Sequence, residues 1–141
     1  MPTKVPFFEY PRLWSDNRKD FLSIIDDVSS SGGFILQKAV TDFELELAEY
    51  TGSNYSVGVG NATDGMEIFL TAIGVKPGDE IITAANTFVA TVGAITELGA
   101  KPVFVDCDDT FCMDVNLIEK KITKKTKAIV PVHFTGYMTN M

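Results

Sequence analysis

The stretch VGVGNATDG, Val57 to Gly65, is a short apolar run that breaks into small polar residues and then into the helical spacing of Met66, Phe69, Leu70 and Ile73. A strand, a turn and a helix start in that order collect unpaired backbone N–H groups at the positive end of a helix dipole. Thr63 adds a hydroxyl donor. Such a point suits an anion, and phosphate is the natural guest. Two known phosphate loops can be tested by residue type. A P-loop needs Gly-Lys-Ser/Thr, and this loop has no lysine. Gly58-x-Gly60-x-x-Thr63 comes closer to the dinucleotide fingerprint, but that motif wants an acid at the far end of the next strand. The sequence has Thr83-Ala84-Ala85 there, with Asp79 and Glu80 at the strand's start. A nicotinamide cofactor is the weaker alternative, and a capped helix without a ligand is the plain one.

A second segment narrows the choice. TAANTFVAT (Thr83–Thr91) puts Phe88 one turn into a helix on the same sheet edge as Thr63. Taken alone, Phe88 reads as a core residue. Beside a phosphate loop it could lie flat over a planar heterocycle, and pyridoxal phosphate is the compact cofactor that joins a phosphate to such a ring.

The elements that must position these residues follow from periodicity. Phe21, Ile24, Ile25 and Val28 make one amphipathic helix, which stops at SSSGGF. Val40, Phe43, Leu47 and Tyr50 make a second, with Thr41 and Glu44 spaced as a capping box and Gly52 as its stop. Strands are expected at Tyr55–Val59, Glu80–Thr83, Pro102–Val105 and Ala128–Val132. The gaps carry helical patterns: Met66 to Ile73, then Val92, Ile95 and Leu98, then Val115 and Ile118 behind an Asp114 cap. The turns KPGDE and LGAKP feed the second and third strands. Alternation of this kind means βαβ units: an α/β fold with helices flanking a mostly parallel sheet. Residues 1–52 form an N-terminal helical segment and 53–141 the βαβ part. Ligands in such sheets bind beyond the carboxyl ends of the strands.

Composition bounds the rest. The chain has 141 residues, 45% hydrophobic and 22% charged, which suits a globular domain or most of one. Residues 1–119 hold all 19 acids and 7 of the 12 bases, and residues 120–141 hold five lysines and no acid. The run EKKITKKTK (Glu119–Lys127) has no aromatic among its lysines and belongs to an acidic chain, so it reads as a solvated helix end and turn, and no nucleic-acid partner is expected. All five of its lysines are placed at the amino edge of the sheet. Cys107, Cys112 and His133 lack metal-ligand spacing, and two thiols make no disulfide framework. No membrane span or signal peptide is expected, and the location is read as cytoplasmic.

At this point the chain resembles the N-terminal part of the DegT/StrS family of PLP-dependent sugar aminotransferases, of fold-type-I architecture. The resemblance rests on VPFF (Val5–Phe8), SGGFIL (Ser31–Leu36), FELELAEYTG (Phe43–Gly52), Val57–Ile82, NTFVAT (Asn86–Thr91), GAKPVFVDCD (Gly99–Asp108) and ITKKTKAIVPVHFTG (Ile122–Gly136). It implies that Ala62 and Thr63 hold the cofactor phosphate, with Asn61 at the loop's entrance, and that Phe88 stacks on the pyridine ring. It places Gly33 with the sugar substrate. His133, at a strand's carboxyl end, is either a substrate-side catalytic residue or a satisfied histidine that shapes its loop. The sequence departs from the family at Ala62 and Gln37, where glycines are usual, and at Gly65, where alanine is common.

The resemblance also implies what lies elsewhere. The Schiff-base lysine and the carboxylate that pairs with the pyridinium nitrogen are expected downstream of Met141. The chain is thus expected to be an inactive part of a longer protein that aminates a nucleotide-linked ketosugar, with glutamate as donor and a homodimer or higher homo-oligomer as assembly. A non-catalytic binding or regulatory module of the same fold is the rival reading.

Overall fold

A computed structural model describes residues 5–141, so the first four residues of the expected 1–52 segment lie outside it. The chain gathers into two compact units, one reaching Gly58 and the other running from Val59 to Met141.

The first unit is built on two helices, α1 (Tyr10–Ser30) and α2 (Lys38–Thr51). Both follow the apolar spacing. Pro11 sits at the start of α1, where a missing N–H removes nothing. Neither helix buries its stripe: α1 has no buried residue and α2 has only Ala48. Two expectations are corrected here. The residues Thr41 and Glu44 form no capping box, because α2 begins earlier, at Lys38, behind Gln37. A Lys38–Asp42 ion pair one turn apart favours that earlier start. Glu44 instead accepts the Gly58 N–H at 2.6 Å. That bond bears on the second correction, since Tyr55–Val59 forms no strand. A strand needs a neighbour for its backbone groups; this segment has none among the described residues, and a side chain takes one of its amides.

The second unit holds a three-stranded, wholly parallel sheet of order β2-β1-β3, with β1 Glu80–Ala84, β2 Lys101–Val105 and β3 Thr126–Val130. Helices α3 (Ala62–Ala72) and α4 (Val89–Glu97) precede and follow β1. The central strand separates two cores because its side chains alternate. Ile81 packs with Leu70, Val75, Ile95 and Ala100, the α3 and α4 side. Ile82 and Ala84 pack with Val105 and Met113, against Leu117 and Ile118. The third helical pattern becomes two short 3₁₀ turns, Val115–Leu117 and Glu119–Lys121, with Asp114 capping the first as expected. Two apolar positions three apart define a single turn, which 3₁₀ geometry satisfies as well as α does.

All four α-helices are followed by a glycine at positive φ: Gly32, Gly52, Gly74 and Gly99. Gly99 is the most constrained. Its φ is +69°, and a Cβ there would lie 3.0 Å from Pro77. The contact exists because KPGDE and LGAKP meet: Gly78 N–H donates to Gly99 O at 2.9 Å, and Lys101 N–H to Asp79 O at 2.8 Å.

The same amino edge carries an acid-sensitive link. The Glu80 carboxylate accepts from the Thr123 hydroxyl at 2.7 Å and from Lys101 Nζ at 3.4 Å, joining β1 to β2 and to the turn before β3. The Thr123 hydrogen bond, with Lys101 and then Lys125 adding to it, holds the Glu80 carboxyl below its ordinary value of 4.5. A carboxyl lowered in the folded state adds stability that is present above the unfolded value and lost as pH falls through the folded one. The melting temperature of the wild type should therefore fall more steeply below about pH 4.5 than that of Glu80→Gln. Parallel acid limbs in the two melting curves would remove Glu80 from this role.

Candidate functional site

The start of α3 is built as the loop chemistry requires. Asn61 caps it: its Oδ1 accepts the Asp64 N–H at 3.0 Å, and its Nδ2 donates to Asp64 Oδ2 at 2.9 Å. Gly65 N–H turns back to Asn61 O at 3.1 Å. Among the described residues the Ala62 and Thr63 N–H groups have no partner. Thr63 also carries a hydroxyl. In the helix interior Thr71 bonds back to Glu67 O at 2.7 Å, and Thr96 likewise to Val92 O, whereas no partner of the Thr63 hydroxyl occurs among the described residues. Two amides and a hydroxyl without partners among the described residues thus lie together in the first turn of a helix, at its positive end.

One feature opposes an incoming anion. Asp64 sits in the first turn of α3, where it favours the helix. Its carboxylate is turned toward the loop, so close that a Cβ on Gly60 would stand 2.9 Å from Oδ2. Asn61 engages that carboxylate through its amide. Asn61 therefore spends both side-chain groups within the turn.

Phe88 lies not inside α4 but at its N-cap, in extended backbone (φ −70°, ψ 144°). The helix begins about one turn later than the spacing indicated, because the chain leaving β1 bends through residues 85–87 and is still extended at Phe88. The ring is 74% exposed. Its carbonyl accepts the Thr91 N–H at 3.0 Å, and the Thr91 hydroxyl accepts from Thr87 at 2.9 Å.

Thr91 ties Phe88 to the α3 start. A cavity of about 340 Å³ opens between α3, α4 and the end of β3, with Ala62, Phe69, Thr91, Ile129 and Pro131 among its walls. The sequence reading did not name Thr91 or Pro131. The signal for Thr91 was the four-residue spacing of Thr87 and Thr91, which puts both hydroxyls on one side of a helix start. For Pro131 there was no local signal.

Gly33 belongs to the first unit. Its N–H closes the end of α1 on Val28 O at 3.1 Å, and it borders a concavity with Asp27, Ser31, Gln37, Lys38 and Asp42. His133 follows β3 and Pro131, and its Nδ1 accepts the Thr139 N–H at 3.1 Å.

The lysines require a correction. Lys125 and Lys127 flank the start of β3, at the amino edge as expected. Lys120 and Lys121 do not. They border a shallow concavity with Val105, Asp106 and Ala85, which lie at the carboxyl ends of β2 and β1. The 3₁₀ turns run back along the sheet where a full helix end would have carried these side chains away. No group of three or more histidine, cysteine or acidic side chains suited to a metal occurs among the described residues. No helix among them is long and apolar enough to cross a membrane.

A model of the DegT/DnrJ/EryC1/StrS aminotransferase family matches residues 15–141. The chain belongs to that family. Among curated members of the family, it is 44% identical over 134 residues to the dTDP-3-amino-3,4,6-trideoxy-alpha-D-glucose transaminase of Micromonospora megalomicea subsp. nigra, covering 94% of this chain and 35% of that protein. It is 43% identical over 138 residues to a Geobacillus stearothermophilus protein named pleiotropic regulatory protein, covering 97% of this chain and 37% of the relative. The crystal structure of NtdA from Bacillus subtilis with bound cofactor PMP superposes with a TM-score of 0.94 at 37% identity, over 99% of this chain and 33% of NtdA. The chain therefore spans about a third of the length of these relatives. Its α/β fold, with helices about a parallel sheet, is the fold of fold-type-I aminotransferases.

Proposed function

We propose that this chain is the cofactor-anchoring part of a PLP-dependent aminotransferase that moves an amino group from glutamate to the keto group of a nucleotide-linked deoxysugar. The observation that carries the proposal is the start of α3, where two amides and a hydroxyl without partners among the described residues share the first turn, in a member of an aminotransferase family. These residues fit the phosphate end of pyridoxal phosphate. Ala62 and Thr63 would donate their N–H groups and Thr63 its hydroxyl to the phosphate oxygens. Asn61 acts at one remove, holding the first turn in shape and the Asp64 carboxylate in place. The exposed Phe88 ring is available to cover one face of the pyridine. When bound, the cofactor supplies the carbonyl that receives the amino group and the ring that accepts electrons from the reacting carbon. Gly33 is proposed to approach the sugar substrate, as the family resemblance implies. The long apolar stripe of α1 fits assembly as a homodimer or higher homo-oligomer, and two free cysteines fit a cytoplasmic protein.

The chain's own lysines are proposed to play no part in the chemistry. Lys125 and Lys127 stand at the amino edge, and Lys120 and Lys121 follow the segment that covers the sheet face opposite α3 and α4. The test is to add PLP to the chain, reduce with borohydride and map the modified lysines by mass spectrometry. Scattered, substoichiometric labelling and no amino transfer are expected. A single stoichiometric adduct, lost on Thr63→Val and accompanied by turnover of a ketosugar, would show a complete enzyme.

A second reading is favoured by one observation, the name of the Geobacillus relative. In that reading the fold binds a phosphorylated ligand and transfers nothing. Tight ligand binding without amino transfer, in every form of the protein that contains this chain, would select it.

A further inference from the structure

The loop leaving β3 carries strain. Thr135 has φ +52° and Gly136 φ +86°, and a β-branched residue in the left-handed region is a genuine outlier. Such a conformation persists only where its surroundings hold it, and it is often found where a chain must present groups to a ligand. What holds it is visible. Thr139, 4% exposed, is bound at both of its donors: its N–H donates to His133 Nδ1 at 3.1 Å and its hydroxyl to Val132 O at 3.0 Å. Tyr137 N–H closes on Phe134 O at 2.9 Å, and the Cys112 thiol lies 3.6 Å from Tyr137 O. The strained pair is thus spanned by a clasp between residues 133 and 139.

We propose that His133 is a positioning residue and not a proton acceptor. Its Nδ1 lone pair is spent on the Thr139 amide, so the neutral ring carries its hydrogen on Nε2. A ring in that state has no free lone pair with which to take a proton. It can only donate, through an Nε2–H on an exposed side chain. The clasp fixes the course of the chain just beyond Pro131, which lines the same cavity as Ala62. That bearing on the anchoring site rests on the reading above, but the clasp itself does not.

His133 is the chain's single histidine, so its imidazole nitrogen signals need no assignment. In a long-range ¹H–¹⁵N spectrum of the full chain at neutral pH, the Nε2–H tautomer should dominate. His133→Leu should speed amide exchange at Thr139 roughly two- to tenfold, as loss of one neutral hydrogen bond implies, while Ile82 on the central strand stays protected. His133→Asn places a carbonyl oxygen near the position of Nδ1 and should restore slow exchange at Thr139. Should His133→Leu lose Ile82 protection as well, comparison of His133→Asn with the wild type still decides. A dominant Nδ1–H tautomer, unchanged Thr139 exchange in the leucine variant, or fast exchange in a folded asparagine variant would each overturn the proposal. None of these readouts involves a cofactor, so they fail or succeed independently of the anchoring site.

Discussion

Replacing Ile81 with alanine is expected to cost the second unit about 2–5 kcal/mol, the usual range for a large aliphatic side chain removed from a closed core. Ile81 has no solvent exposure, and it packs with Leu70 of α3, Ile95 of α4, Val75 and Ala100. It is the point through which the central strand holds both helices. Part of the cost is lost transfer energy and part is the void, which neighbours on two separate helices cannot close together. Native domains carry a total of only about 5–15 kcal/mol, so the variant should be close to unfolding. Denaturant titration followed by circular dichroism would measure the change. Ile81→Val, which removes one methylene, should cost about 0.5–1.5 kcal/mol. A loss below about 1 kcal/mol for the alanine variant would mean that the α3–α4 side is loosely packed and not a core.

Thr63→Val should have the opposite character: little change in stability and a large change in binding. Valine keeps the branched Cβ and the backbone N–H, and the hydroxyl it deletes has no partner among the described residues, so α3 loses nothing of its own. Bound phosphate loses a charge-assisted hydrogen bond, worth about 1.5–3 kcal/mol. PLP affinity should fall roughly ten- to a hundredfold. Inorganic phosphate as a competitor should weaken in proportion, because it reports the anchoring point without the ring. Titration of both ligands into the two proteins makes the comparison. Equal PLP affinity in wild type and variant would place the phosphate away from α3, whatever the family relationship. The contrast with Ile81→Ala is useful: one substitution should bring the second unit close to unfolding and the other should leave it folded with weakened hold on its ligand.

Much of this molecule is written locally. The four helices, the glycines that follow them, the three strands of the sheet and the turns KPGDE and LGAKP that feed two of them follow from apolar spacing and turn chemistry within windows of a few residues. The anchoring point is local too. Asn61 to Gly65 cap and start a helix with their own side chains, and Thr63 lies within that first turn. A helix start is made by consecutive residues, so its residues are near one another however the rest of the chain folds.

What only the tertiary structure decided depends on partners far away in sequence. Tyr55–Val59 has strand composition, but a strand exists only beside another, and Glu44 takes a Gly58 amide instead. Thr41 and Glu44 have the spacing of a cap, yet α2 starts earlier, behind Gln37, and passes over them. Lys120 and Lys121 are displaced from the amino edge because two 3₁₀ turns replace an α-helix, a change of pitch that a short pattern cannot encode. The cavity wall is assembled from Ala62, Thr91 and Pro131, which no window contains together. His133 is the plainest instance. As a residue type it could take a proton, donate one or support a loop, and its role turns on which group meets Nδ1. That group is the Thr139 amide, brought there by a turn through left-handed backbone at Thr135 that no propensity would anticipate. Local residue order sets which groups are available, while packing sets which lone pairs remain free, because hydrogen bonds are short and a fold alone brings distant donors within their reach.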